Sequence, residues 1–244
     1  MRIVSCVPSL TELVANLEPE ALIGRTKFCI HPEGLKKIPN VGGTKNLDLS
    51  KIRILSPDWI LAVKEENEKE QIEALQKECR VSVFDIKSLP DALACNFEIA
   101  RELGKEEKMK EWYRRYTHAK AQFGKFPKIK VAYLIWQDPL MTVGGDTFIG
   151  DVMREAYFEN VFEGRKRYPQ TDIEELKNLQ PDLILLSSEP YPFKEKHLIE
   201  FQKAFENTEW ALVDGTYFSW YGSRLEFTWT YLGQLRNLIT KTKN

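Results

Sequence analysis

The run Asp48-Leu49-Ser50-Lys51-Ile52-Arg53-Ile54-Leu55-Ser56-Pro57-Asp58-Trp59-Ile60-Leu61 recurs without a gap as Asp172-Ile173-Glu174-Glu175-Leu176-Lys177-Asn178-Leu179-Gln180-Pro181-Asp182-Leu183-Ile184-Leu185. Each copy reads as one supersecondary unit. An Asp opens a short helix by accepting from amides that the first turn leaves unpaired. Pro-Asp then turns the chain, and the apolar run that follows has the unbroken hydrophobicity of a strand buried on both faces of a parallel sheet. Two such units in register predict a duplicated lobe, each copy carrying its own parallel sheet.

Outward from these copies, β-branched runs alternate with amphipathic helical spacing along the whole chain. The expected strands are Ile3–Val7, Leu22–Arg25, Trp59–Val63 and Val81–Ile86 in the first half, then Ile129–Trp136, Met141–Val143, Leu183–Ser187 and Ala211–Asp214 in the second. Three pairs, Ser9 with Glu12, Thr171 with Glu174 and Ser223 with Glu226, have the spacing of capping boxes and predict helix starts. Between the halves, Glu102 to Gln122 carries Met109, Trp112, Tyr113, Tyr116 and Ala119 at three- and four-residue steps, and Gly124 and Pro127 follow. A helix of that length spans about 30 Å, enough to brace two domains. The expected organisation is α/β: two Rossmann-like lobes with parallel sheets, residues 1–101 and 126–244, joined by a single long α-helix within 102–125. With no Gly/Ser-rich linker beside that helix, limited rigid-body closure is expected.

Composition narrows the function classes. The 35 basic and 36 acidic residues leave a net charge of −1, so no global field recruits nucleic acid or an anionic membrane. No stretch approaches the ~18–20 consecutive apolar residues of a membrane span, and no membrane insertion is expected. Met1 to Pro8 enters a strand pattern at once, without an apolar signal core, so the chain as written reads as cytoplasmic. Cys6, Cys29, Cys79 and Cys95 show no C-x-x-C pairing and are expected to be reduced, mostly buried thiols.

Several segments carry a family resemblance. They are Arg2-Ile-Val-Ser-Cys-Val-Pro8-Ser9-Leu-Thr-Glu12-Leu, the stretch from Asn46-Leu-Asp48-Leu49 through Pro57-Asp58-Trp-Ile-Leu61-Ala62, Thr142-Val-Gly144-Gly145-Asp146-Thr147 with Asn160-Val161-Phe162, and Ser223-Arg224. Together they resemble the class III, helical-backbone periplasmic solute-binding proteins of ABC importers, a group that includes receptors for vitamin B12, haem and iron siderophores. The resemblance implies a monomer that captures a small ligand in the cleft between its lobes, delivers it to ABC permease subunits and catalyses nothing. It implies no resident cofactor, any cobalt or iron arriving inside the ligand. Members are normally periplasmic or lipid-anchored, in contrast to the start of this chain. The positions aligning with first-lobe tryptophans of the vitamin B12 receptors are Thr44 and Val63, so that wall is expected to be more open and polar.

In open parallel sheets, ligands bind beyond the carboxyl ends of the strands. Those ends offer Pro8, Lys27, Phe28 and His31 from the first lobe, and Trp136, Met141, Tyr191, Tyr217, Phe218, Trp220 and Arg224 from the second. Tyr217, Phe218, Trp220 and Tyr221 put four rings within five residues, and flat aromatic walls suit a planar or macrocyclic ligand. Lys27 and Arg224 are placed to meet its carboxylates or phosphates. The ligand expected is therefore a metal-bearing macrocycle or chelate, cobalamin or another corrinoid first and a ferric siderophore or haem second. Glu65, Glu66 and Glu189 follow matching strands of the repeat, and the resemblance gives them to permease docking; a solvated helix start explains such acids equally well.

Two other function classes compete. A cytosolic tetrapyrrole chelatase needs a His–carboxylate pair on the metal's path, and His31, the one histidine in a strand-end loop, has no carboxylate at motif spacing. His118 and His197 lie in helical patterns, so no metal site is expected. Gly42-Gly43 and Gly144-Gly145 lack the context of a phosphate loop or dinucleotide fingerprint, and there is no G-x-S-x-G elbow. The third class is a sensor that reads ligand occupancy through closure.

Overall fold

A computed structural model of the chain describes residues 1–205 and 208–242. The chain forms two units. One comprises Met1–Ile86, Pro90–Ala119 and Trp220–Phe227; the other comprises Lys87–Leu89, Lys120–Ser219 and the chain from Thr228.

Unit 1 runs β1 (Ile3–Ser5), α1 (Pro8–Leu17), β2 (Leu22–Arg25), β3 (Gly42–Gly43), β4 (Asn46–Leu47), α2 (Leu49–Leu55), β5 (Trp59–Val63), α3 (Lys69–Gln76), β6 (Val81–Phe84), most of α4 (Leu89–Glu102) and most of α5 (Glu106–Gln122). Its four-stranded sheet has the order β2-β1-β5-β6, parallel throughout. All five residues of β5 are buried, as a strand covered on both faces requires. Val4, Cys6, Ile60 and Ala62 pack against Ile52 of α2 and Ile72 and Leu75 of α3. The chemistry of the repeat is visible here. The Asp48 carboxylate caps α2 by accepting from Lys51 N at 3.0 Å, and Ser56 ends that helix in the left-handed region at φ 47°. Asp58 then accepts from Arg2 N at 2.7 Å through its side chain while its own amide donates to Arg2 O at 2.8 Å. That two-way grip sets β5 in register beside β1.

Unit 2 runs β7 (Ile129–Gln137), β8 (Leu140–Thr142), α6 (Phe148–Glu155), β9 (Phe158–Asn160), α7 (Ile173–Leu179), β10 (Leu183–Ser187), α8 (Glu195–Gln202), β11 (Glu209–Val213), α9 (Thr216–Ser219) and most of α10 (Leu225–Thr242). Its sheet has the order β11-β10-β7-β8; β8 is antiparallel to the end of β7, and β9 pairs in parallel with the start. The second copy of the repeat repeats the geometry. Asp172 accepts from Glu175 N at 2.7 Å, Gln180 takes φ 48°, and Asp182 accepts from Lys130 N at 2.8 Å while donating to Lys130 O at 2.9 Å. Duplication thus extends from residue type to individual hydrogen bonds. An N-cap carboxylate contributes about 1 kcal/mol. Asp48→Ala and Asp172→Ala are each expected to lower urea stability by that amount, with the glycine variants costing only a few tenths; equal losses for alanine and glycine would remove the capping assignment.

Three helix starts differ from expectation. Pro8, with φ preset and no amide to leave unpaired, takes the first position of α1, so the helix begins at a Val7 cap and Ser9 lies inside it. Asp172 caps α7 in place of Thr171, whose hydroxyl instead donates to the Glu175 carboxylate at 2.8 Å. At the start of α10 the two side chains have other partners: Ser223 Oγ accepts from Asn16 Nδ2 at 2.7 Å, and Glu226 pairs with Arg115 at 2.5 Å. The helical pattern read over Glu102 to Gln122 is divided: α4 ends at Glu102, Gly104 turns the chain at φ 64°, and α5 starts at Glu106.

Candidate functional site

On unit 1 the carboxyl ends of β1 and β2 carry a small, well-anchored surface. The loop after β2 is fixed from below. Cys29 is buried with its Sγ 3.0 Å from Thr11 Oγ1 and 3.1 Å from Thr26 Oγ1, and Lys27 N donates to Gly42 O at 2.8 Å. This holds Phe28 outward, 51% exposed, with the Lys27 ammonium 5.0 Å from its ring centre. Gly43 lies beneath both. A Cβ there would meet the Phe28 ring at 3.4 Å and Lys27 Cε at 3.5 Å, ordinary contact distances, so the ring packs directly on this backbone. His31 is half-buried and meets Trp220 edge-on, ring centres 5.9 Å apart; Pro8 is half-buried at the end of β1. Thr44 is half-buried and Val63 fully buried.

The segment Trp220–Arg224 belongs to this unit. Trp220 is buried under the Arg224 guanidinium, 4.5 Å from the ring centre, and Arg224 forks onto Glu12 at 2.7 and 3.3 Å. The side chains of this pair are only 13% and 11% exposed, so Arg224 is already engaged by a carboxylate of its own unit. Gly222 lets the segment lie directly on the Ser9 carbonyl, where any side chain would collide. Tyr221 donates its hydroxyl to Glu66, and Asn96 Nδ2 donates to Tyr221 O at 3.0 Å. Burial first, and then the negative charge of Glu66, push the Tyr221 phenol well above its ordinary pKa, so it stays a hydrogen-bond donor.

On unit 2 the corresponding surface is built at the ends of β7 and β10. Trp136 is 39% exposed and lies edge-on to Tyr191, ring centres 5.6 Å apart; its indole Nε1 donates to Asp138 O at 3.0 Å. Met141 of β8 is half-buried opposite Trp136. Tyr191 donates to Gln137 Oε1 at 2.7 Å. Within the aromatic run, Tyr217 is half-buried and stacks on Tyr231 at 4.3 Å. Phe218, expected in the lining, is fully buried among Tyr133 at 4.9 Å, Phe158 at 6.5 Å and Tyr231 at 6.4 Å, because consecutive residues of α9 point to different sides. Glu189 accepts from Ser219 Oγ at 2.5 Å. Glu66 and Glu189 therefore hold the two ends of the Ser219–Tyr221 stretch, each within its own unit, and Glu65 is half-buried beside Glu66.

Four cysteines are free thiols, and burial pushes Cys6, Cys29 and Cys95 above the ordinary thiol pKa, which leaves them protonated and unreactive. Among the described residues no three His, Cys, Asp or Glu side chains converge as a metal ion requires, and no helix is long and apolar enough to cross a membrane. Position after a strand singled out the exposed rings Phe28 and Trp136; spacing read Glu12 as half of a capping box and did not show its pairing with Arg224 or the approach of His197 to Tyr191.

The family described as periplasmic binding protein matches residues 3–210. A vitamin B12-binding protein of Vibrio vulnificus is 30% identical over 195 residues, 76% of this chain and 71% of that protein. A high-affinity heme uptake system protein of Staphylococcus aureus is 23% identical over 222 residues, 85% of this chain and 73% of that protein. Among solved structures, the periplasmic vitamin B12 binding protein of Vibrio cholerae matches with a TM-score of 0.82 at 19% identity over 98% of each chain. A periplasmic heme-binding protein solved with two hemes also gives 0.82 at 19% identity over 98% of each. These structural likenesses bear on the fold: α/β units with parallel sheets of the class III type.

Proposed function

We propose, from the premise that the chain belongs to the periplasmic binding protein family, that it is a solute-binding protein for a metal-bearing macrocycle or chelate. Cobalamin or another corrinoid comes first, haem or a ferric siderophore second, and the ligand passes unchanged to an ABC importer. The observation that carries this reading is the pair of exposed rings at strand ends: Phe28, 51% exposed on unit 1, and Trp136, 39% exposed on unit 2. Large aromatic side chains left open where parallel sheets bind ligands are surfaces for a flat or bulky apolar partner. Lys27 beside Phe28 adds a cation for a ligand's anionic edge. The relatives point the same way, being proteins for vitamin B12 and heme.

Titration with cyanocobalamin, cobinamide, hemin and a ferric hydroxamate, followed by absorbance and calorimetry, tests the reading. A working receptor binds at least one of them at about 1 μM or tighter, roughly −8 kcal/mol. Trp136→Ala is expected to weaken that binding by about tenfold or more, as loss of an interface aromatic does. Absence of binding across the panel rejects the ligand class, and a chemically altered ligand after incubation assigns the protein to an enzyme class instead.

A further inference from the structure

The Trp136 ring rests on Tyr191, and Tyr191 is itself held from α8. His197 is buried in the first turn of that helix, and its Nδ1 accepts from Lys194 N at 2.9 Å. A backbone amide only donates, so Nδ1 carries the lone pair and the ring proton resides on Nε2. Nε2 lies 3.3 Å from the Tyr191 hydroxyl, which in turn donates to Gln137 Oε1 at 2.7 Å. The direction of the chain follows: Lys194 N–H to His197 Nδ1, His197 Nε2–H to Tyr191 Oη, Tyr191 O–H to Gln137. Gln137 is the residue after Trp136 on β7, so the relay ends beside the ring that Tyr191 supports. The Tyr191 ring is boxed by edge contacts to Phe193 at 4.8 Å and Trp136 at 5.6 Å, which leaves its hydroxyl as the point where orientation is set.

We propose that His197 is a positioning residue for the ligand face of unit 2, acting through the Tyr191 hydroxyl on the Trp136 ring. The inference rests on the reading of that face as ligand-binding. Its chemistry differs from plain helix capping: a cap needs only the acceptor at Nδ1, whereas the relay needs the donor at Nε2. His197→Asn separates the two, because the Asn carbonyl falls near the place of Nδ1 and nothing replaces Nε2.

The Trp136 indole N–H resonance, assigned by its loss in Trp136→Phe, reads ring placement without any ligand. It is expected to shift in His197→Asn and in Tyr191→Phe, with no additional shift in the double variant. Hemin affinity is expected to fall about fivefold in each single variant, the scale of one hydrogen bond, and no further in the double. A His197→Asn protein with the wild-type Trp136 resonance, or additive effects in the double variant, overturns the relay. If wild-type protein binds no hemin, the affinities are read with the panel member it does bind; if it binds none, the ligand reading fails and the indole resonance alone decides the relay. Should His197→Asn not fold, the His197 Nε2–H resonance decides it: a shift on going from wild type to Tyr191→Phe supports the relay, and an unchanged resonance, or a ring proton on Nδ1, overturns it.

Discussion

Phe218→Ala is expected to cost about 3–5 kcal/mol in urea unfolding, the range for deleting a large ring from a packed core. Phe218 is fully buried, and the rings of Tyr133, Phe158 and Tyr231 around it belong to three different elements, β7, β9 and α10. Those elements cannot all move in to fill the void, so the loss includes the cavity as well as the transfer of the ring. Tyr217→Ala removes a half-buried ring that stacks on Tyr231 and is expected to cost less than half as much. The two variants are adjacent in sequence and alike in composition, so their difference isolates placement. Equal costs would mean that the aromatic run is packed on both sides of α9.

Glu12→Ala is expected to destabilise by about 3–5 kcal/mol, because it leaves a nearly buried guanidinium without its counter-charge. The Arg224 and Glu12 side chains are 13% and 11% exposed, too little for water to replace the lost partner. Arg224→Met should cost a similar amount for the opposite charge. The double variant, Glu12→Leu with Arg224→Met, is expected to recover most of the loss, since removing both ions also removes both desolvation penalties. Urea unfolding of the four proteins forms a thermodynamic cycle. A double variant as unstable as the sum of its singles would show that the two side chains act independently, contrary to the fork of hydrogen bonds between them.

How much of this was legible depended on the range of the chemistry involved. The repeat could be read because Asp48 and Asp172 act on backbone three residues away, and both do so in the structure; the grip of Asp58 on Arg2 and of Asp182 on Lys130 reaches more than fifty residues along the chain and was not legible. Strands β2, β5 and β10 fall where their apolar runs put them. Capping boxes were misread at Ser9 and Thr171 because a stronger local signal stood beside each, Pro8 in one case and Asp172 in the other. The β3–β4 hairpin and β9 are two or three residues long, too short for any period to show. At the candidate site, Phe28 and Trp136 were legible as rings following strands. Phe218 could not be told from Tyr217, because a helix of four residues offers no repeat from which to judge which side is inward. Glu12 with Arg224 and His197 with Tyr191 were invisible for another reason: spacing in sequence carries no trace of which helix comes to lie against which loop.

The Glu12–Arg224 pair also has a temporal side. Its partners are 212 residues apart in sequence, yet both belong to unit 1. Ribosomes add about 5–20 residues per second, which puts on the order of 10–40 s between the emergence of one partner and of the other. Throughout that interval the N-terminal carboxylate has no counter-ion and Trp220 has not yet been synthesised. The domain begun first is thus expected to wait for a piece made only after most of the other, and limited proteolysis of stalled nascent chains should find residues 1–119 cleavable until the codons beyond Phe227 have been read. Protection of that segment in chains arrested at Ser219 would show that it closes without its final piece.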